Sequence, residues 1–135
     1  MQKYFTMEKK NPIEEAKRYL QNAKDILKEK AGKEGKFYTD AKYVKMAGNT
    51  AWNGVLIALD YAFGFKKEKG RKDIKDYKEM ASKFDKKLLM YVNEGYNTLH
   101  LAMGYDGNKI YQTCASGMEI AEDIIKWCEK RTQKV

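Results

Sequence analysis

At 135 residues the chain has the length of one domain, and 43% hydrophobic residues with ten tyrosines is a composition that folds rather than stays disordered. One proline beside abundant Lys, Glu, Ala, Leu and Met favours helix over sheet, because those side chains lose little rotamer freedom in a helix. The net charge of +8 is uneven, with ten basic and six acidic residues in 1–36, balance in 37–63, ten against five in 64–90 and an excess of one acid in 91–135. That pattern suits a polyanion-binding face, or lysines that keep a small bundle soluble.

Asn11-Pro12 opens the first predicted helix as N-cap and first helical residue, with Glu14 and Glu15 placed well against the helix dipole. Ile13, Ala16, Leu20, Ala23 and Leu27 recur at steps of three and four and define one buried face. The turn-rich stretch Gly32-Lys33-Glu34-Gly35 ends it. A second helix is predicted from about Asp40 to Phe65, striped by Val44, Ala47, Ala51, Val55, Ala58, Leu59 and Ala62. Many of these are small, and with Gly48 and Gly54 they predict close approach of a neighbouring helix. The apolar run Ala51–Phe65, interrupted by Asn53 and Asp60, is too short to span a membrane.

A basic loop follows, and Lys66, Lys67, Lys69, Arg71 and Lys72 form the candidate basic surface. It carries no interleaved aromatic residues. Asp73 then caps a third helix whose heptad-like stripe Ile74, Tyr77, Ala81, Phe84, Leu88, Tyr91 and Gly95 is expected to continue to Thr98 and Ala102. Gly104-Tyr105-Asp106-Gly107 stops that helix rather than cradling a phosphate, since no strand precedes it. The fourth helix, about Ile110 to Arg131, buries Cys114, Gly117, Met118, Ala121, Ile124, Ile125 and Cys128. Its two cysteines lie fourteen residues apart, about 21 Å along a helix, which excludes a disulfide between them.

These segments predict an all-α, antiparallel up-and-down four-helix bundle, one domain over 1–135 with its core at about 11–131. The polar opening Met1–Lys10 lacks an apolar signal core. Together with two cysteines read as reduced thiols, this leads to the expectation of a soluble, cytoplasmic protein.

The chemistry-bearing stretch is Tyr91–Gly107, which holds the only histidine, His100. An imidazole titrating near neutrality serves as acid, base or phosphate contact, so His100 is the candidate catalytic residue. The alternative is a structural histidine tied to backbone at a helix end. Tyr96 lies one turn before it, and Tyr105 and Asp106 lie just beyond the helix end, placed to return toward the ring. Asn49 and Asn53, with Asp60, share one side of the second helix and either face His100 across the bundle or face water. Asn49, Asn53, Tyr96, Tyr105 and Asp106 are therefore the candidate ligand-binding set. No Glu-x-x-His pair or metal-ligand spacing is present in the sequence, so neither a metal nor a cofactor is expected.

The segments Asn11–Ala16, Ala47–Gly54 and Tyr96–Gly107 together resemble a bacterial family of small helical proteins of unknown function, a match that spans Asn11 to Arg131. The bundle in turn is similar to the HEPN class (higher eukaryotes and prokaryotes nucleotide-binding), whose members pair with nucleotidyltransferases or act as metal-independent ribonucleases. Ribonucleases of that class carry an arginine shortly before the histidine. Asn93, Glu94 and Gly95 stand at those positions here, so only His100 matches. The resemblance thus implies a non-catalytic HEPN-like binding or partner protein, with a HEPN-type ribonuclease or phosphate-directed enzyme using His100 as the alternative. Expected partners are a protein, a second copy in a homodimer, or a nucleic acid or nucleotide, and no membrane. The homodimer rests on the family analogy and on Trp52 and Trp127, read as projecting outside the main stripes.

Overall fold

The computed structural model describes residues 11–66 and 72–133, and within them the protein is all-α apart from one small hairpin. Helix α1 spans Pro12–Glu29, and the Asn11 side chain accepts a 2.8 Å hydrogen bond from the Ile13 N–H at its start. All five residues of its expected stripe, Ile13 to Leu27, are buried. Strands β1 (Lys33–Glu34) and β2 (Phe37–Tyr38) then pair antiparallel, turning at Gly35 with φ +61°. Gly32–Gly35 was expected only as a turn, because strands of two residues carry no readable period. The Tyr38 N–H donates to the Lys109 carbonyl at 2.8 Å and the Tyr111 N–H to the Lys36 carbonyl at 2.9 Å. These bonds fasten the hairpin to the approach of the last helix.

Helix α2, Ala41–Phe63, begins where the Asp40 carboxylate accepts the Lys42 N–H at 3.0 Å, and ends at Gly64 with φ +71°. It is the central element, packed against α1, the last helix and the segment before it. Its small residues do what their size predicts. A Cβ at Gly54 would stand 2.9 Å from the Tyr19 Cβ and 3.0 Å from the Ala16 carbonyl oxygen of α1.

The third expected helix requires a correction, because it is not continuous. Helix α3 spans Ile74–Phe84 and opens on a capping box, in which Asp73 and Asp76 each accept the other's backbone N–H at 3.2 and 2.9 Å. Asp85, in extended conformation, ends α3 and also caps α4 (Lys86–Gly95) by accepting the Lys87 N–H at 2.9 Å. Tyr96–Tyr105 then forms a π-helix rather than more α-helix. It closes with the Asp106 N–H on the Leu101 carbonyl at 2.8 Å and the Gly107 N–H, at φ +66°, on the Met103 carbonyl at 2.9 Å.

These two interruptions shift the buried face. Of the expected stripe Tyr77, Ala81, Leu88 and Gly95 are buried, whereas Phe84 is left at 38% exposure and Val92, Leu99 and Met103, at 0%, take the places expected of Tyr91, Thr98 and Ala102. A cap at Asp85 restarts the helical phase, and the wider π turn changes the period again. Helix α5, Tyr111–Thr132, buries the expected seven residues from Cys114 to Cys128. No helix of the described residues is long and apolar enough to cross a membrane.

Candidate functional site

The π-helix sets Tyr96 and His100 side by side, with ring centroids 5.2 Å apart and planes tilted by 31°. Trp52, reaching over from α2, completes a triangle. Its ring lies 5.9 Å from Tyr96, edge-on, and 6.3 Å from His100. These separations are those at which aromatic quadrupoles attract. Gly95, just before the π-helix, makes room for this arrangement, since a Cβ there would stand 3.3 Å from the outer edge of the Trp52 ring.

The three rings line a cleft of about 410 Å³ together with Leu56 of α2, the Lys72–Ile74 approach to α3, and Tyr77. Lys78 of α3 places its ammonium 5.4 Å from the Tyr96 ring centroid. Tyr77 is buried and donates its hydroxyl to Asp60 Oδ1 at 2.6 Å. Burial first, and that hydrogen bond second, hold the Tyr77 hydroxyl well above its ordinary value of 10.0. His100 Nδ1 is buried and has no hydrogen-bond partner among the described residues. An unmet buried polar atom costs roughly 1–3 kcal/mol.

Of the residues expected to act with His100, the structure brings Tyr96 to it. Asn49 is exposed and donates its side-chain amide to the Gly104 carbonyl at 3.3 Å, fastening α2 to the end of the π-helix. Asn53 faces solvent, Asp60 serves Tyr77, and Asp106 is exposed, while Tyr105 is 77% exposed. Neither Tyr105 nor Asp106 makes a side-chain hydrogen bond among the described residues, and both are exposed. Trp52, expected outside the stripe, is 6% exposed and lies in the core edge behind His100. Trp127 is half-buried, its indole N–H on Asp85 at 3.2 Å and its ring edge-on to Phe84.

Within the basic surface, Lys66 is exposed and Lys72 lines the cleft; Lys67, Lys69 and Arg71 lie outside the described residues. The described arginines are engaged elsewhere, Arg18 with Glu15 at 2.9 Å and Arg131 over the Phe84 ring at 4.6 Å. At the positions of the resemblance's arginine, Glu94 is exposed and Gly95 is buried. Among the described residues no group of three His, Cys, Asp or Glu side chains converges as a metal ion requires. Sequence reasoning missed Trp52 and Tyr77 as cleft residues. The signal lay in the i, i+4 pair Trp52–Leu56, but their meeting with Tyr96 and His100 depends on inter-helix geometry.

The chain belongs to the family described as "Domain of unknown function (DUF5618)", which it matches over residues 11–130. A solved structure of a protein of unknown function from Dyadobacter fermentans is similar to it at 53% identity and a TM-score of 0.85, over 89% of this chain and 95% of that one. No curated protein matches the chain.

Proposed function

We propose that this protein is a non-catalytic, HEPN-like four-helix binding bundle that receives an aromatic or polar group of a ligand or partner in the cleft at Trp52, Tyr96 and His100. The arms of the bundle are α1, α2, the composite α3–α4–π segment, and α5. One observation carries the functional reading: His100 packs against two aromatic rings while its buried Nδ1 has no partner among the described residues. A histidine built for proton transfer needs an orienting hydrogen bond and a charged group for the reacting phosphate. A histidine built for recognition needs a shaped apolar wall beside it, which Trp52, Leu56 and Tyr96 supply in this cleft.

The alternative, a ribonuclease or other phosphate-directed enzyme using His100, draws its support from Lys72 at the cleft. Two measurements separate the readings. His100 is the sole histidine, so its imidazole signals in an NMR titration report on this site alone. Phenol, indole or adenine should shift those signals, and Tyr96→Ala should abolish the shift; no response to any of the three removes the binding reading. Incubation of wild type and His100→Ala with RNA should show no cleavage by either. Cleavage by wild type that is lost in His100→Ala establishes the enzyme instead.

A further inference from the structure

On another face of the molecule, a groove of about 490 Å³ runs between α1, the hairpin and α5, with no acidic residue in its lining. Its floor is Leu27 and Met118, and Tyr38 and Tyr111 stand together at one side, ring centroids 5.6 Å apart. Lys24, Lys28 and Lys33 rim it. None of these three ammonium groups has a carboxylate within 4.0 Å among the described residues. Tyr111 at this side is 38% exposed, and the bridged pair Phe37 and Ile110, next to Tyr38 and Tyr111 in the chain, are 54% and 44% exposed. Cations without counter-charges around an apolar floor, beside uncovered apolar side chains, make a surface complementary to one kind of partner.

We propose that this groove docks an acidic peptide segment of a partner protein, with one apolar side chain seated on Leu27 and Met118 and flanking carboxylates on Lys24, Lys28 and Lys33. Charge complementarity selects the occupant. A nucleic acid fits less well, because single-strand binding uses open ring faces for stacking. Here the Lys33 ammonium covers the Tyr111 ring at 4.2 Å and Tyr38 is buried. A second copy of the chain brings a net charge of +8 to a face already cationic. The lysine stems add apolar wall while their heads stay at the rim, so the same residues serve both parts of such a peptide.

The test is fluorescence anisotropy with a labelled short peptide of Glu and Asp residues interspersed with Leu and Phe, beside the same peptide with Gln and Asn in place of the acids. The acidic peptide should bind at least about tenfold more tightly than the amide version. The double variant Lys28→Glu, Lys33→Glu, shown to be folded by circular dichroism, should lose at least about tenfold in affinity, while Lys130→Glu on the exposed end of α5 should not. Equal binding of the two peptides, absence of binding, or an unchanged affinity in the double variant overturns the proposal. Tighter binding of single-stranded RNA that the double variant abolishes would make the groove a nucleic-acid surface. Concentration-dependent dimerisation in sedimentation that the double variant abolishes would make it a self-association surface.

Discussion

Gly48→Ala tests whether the π-helix is held by close backbone approach. A Cβ at this position would lie 2.6 Å from the Leu99 carbonyl oxygen, 2.6 Å from the Met103 Cβ and 2.8 Å from the Gly104 nitrogen. Non-bonded carbon contacts settle near 3.5–4.0 Å, so α2 and the π-helix would have to separate by about 1 Å. Replacing glycine inside a helix is worth about 1 kcal/mol in propensity, which favours the variant. Overpacking costs typically 1–3 kcal/mol, and two of the three opposing atoms are backbone that has no rotamer to escape into, which puts the cost near 3. The net expectation is a destabilisation of about 2 kcal/mol, or a drop in Tm of roughly 8 °C for a domain of this size. Thermal and urea unfolding followed by circular dichroism measure it. Hydrogen exchange at Asp106, Gly107 and Asn108, whose N–H groups close the π-helix, should accelerate with it. A variant as stable as wild type, with those amides unchanged, would refute the reasoning.

Tyr77→Phe removes a 2.6 Å hydrogen bond to a carboxylate and should cost about 1–2 kcal/mol in urea unfolding; a neutral effect would show that Asp60 is satisfied without it. The thiols of Cys114 and Cys128 are pushed by burial from 9.0 up to about 11 and about 12. Their folded-state values exceed their unfolded ones, so their contribution to stability is complete below pH 9 and is lost as pH rises toward 11–12. The urea midpoint should therefore fall across that window, and less steeply in Cys128→Ala. Both thiols should resist a disulfide reagent in the native state at neutral pH and react once the chain is unfolded; prompt native reaction contradicts their burial.

The elements that sequence periodicity describes well are those whose period never changes. Ile13 to Leu27 on α1 and Cys114 to Cys128 on α5 are buried as their spacing predicts, since each helix keeps one phase from cap to end. The composite arm was less legible for a local reason. Asp85 stands in a sequence that would pass as helix, yet its carboxylate caps α4 and accepts the Trp127 indole N–H from α5, a contact 42 residues away. Beyond Gly95 the change to π bonding is unmarked by any proline or cap, and the stripe extrapolated through it names Thr98 and Ala102 where Leu99 and Met103 are buried. The site was half legible. A lone histidine points to itself, and Tyr96 follows from one turn of spacing. Trp52 does not, because whether a tryptophan on a small-residue helix faces in or out is settled by which neighbour presses on it.

Asp85 joins two jobs in one side chain, with one oxygen on the α4 backbone and the other on Trp127. The bend between α3 and α4 is thereby latched to α5 rather than left as a free joint. Because α3 supplies Tyr77 to the cleft and the π-helix supplies His100, the angle of that joint sets the distance between the cleft walls. A substitution at Asp85, although it lines neither the cleft nor the lysine-rimmed groove, would act as a change of aperture. It would alter how wide the cleft stands open without changing the identity of any residue that lines it.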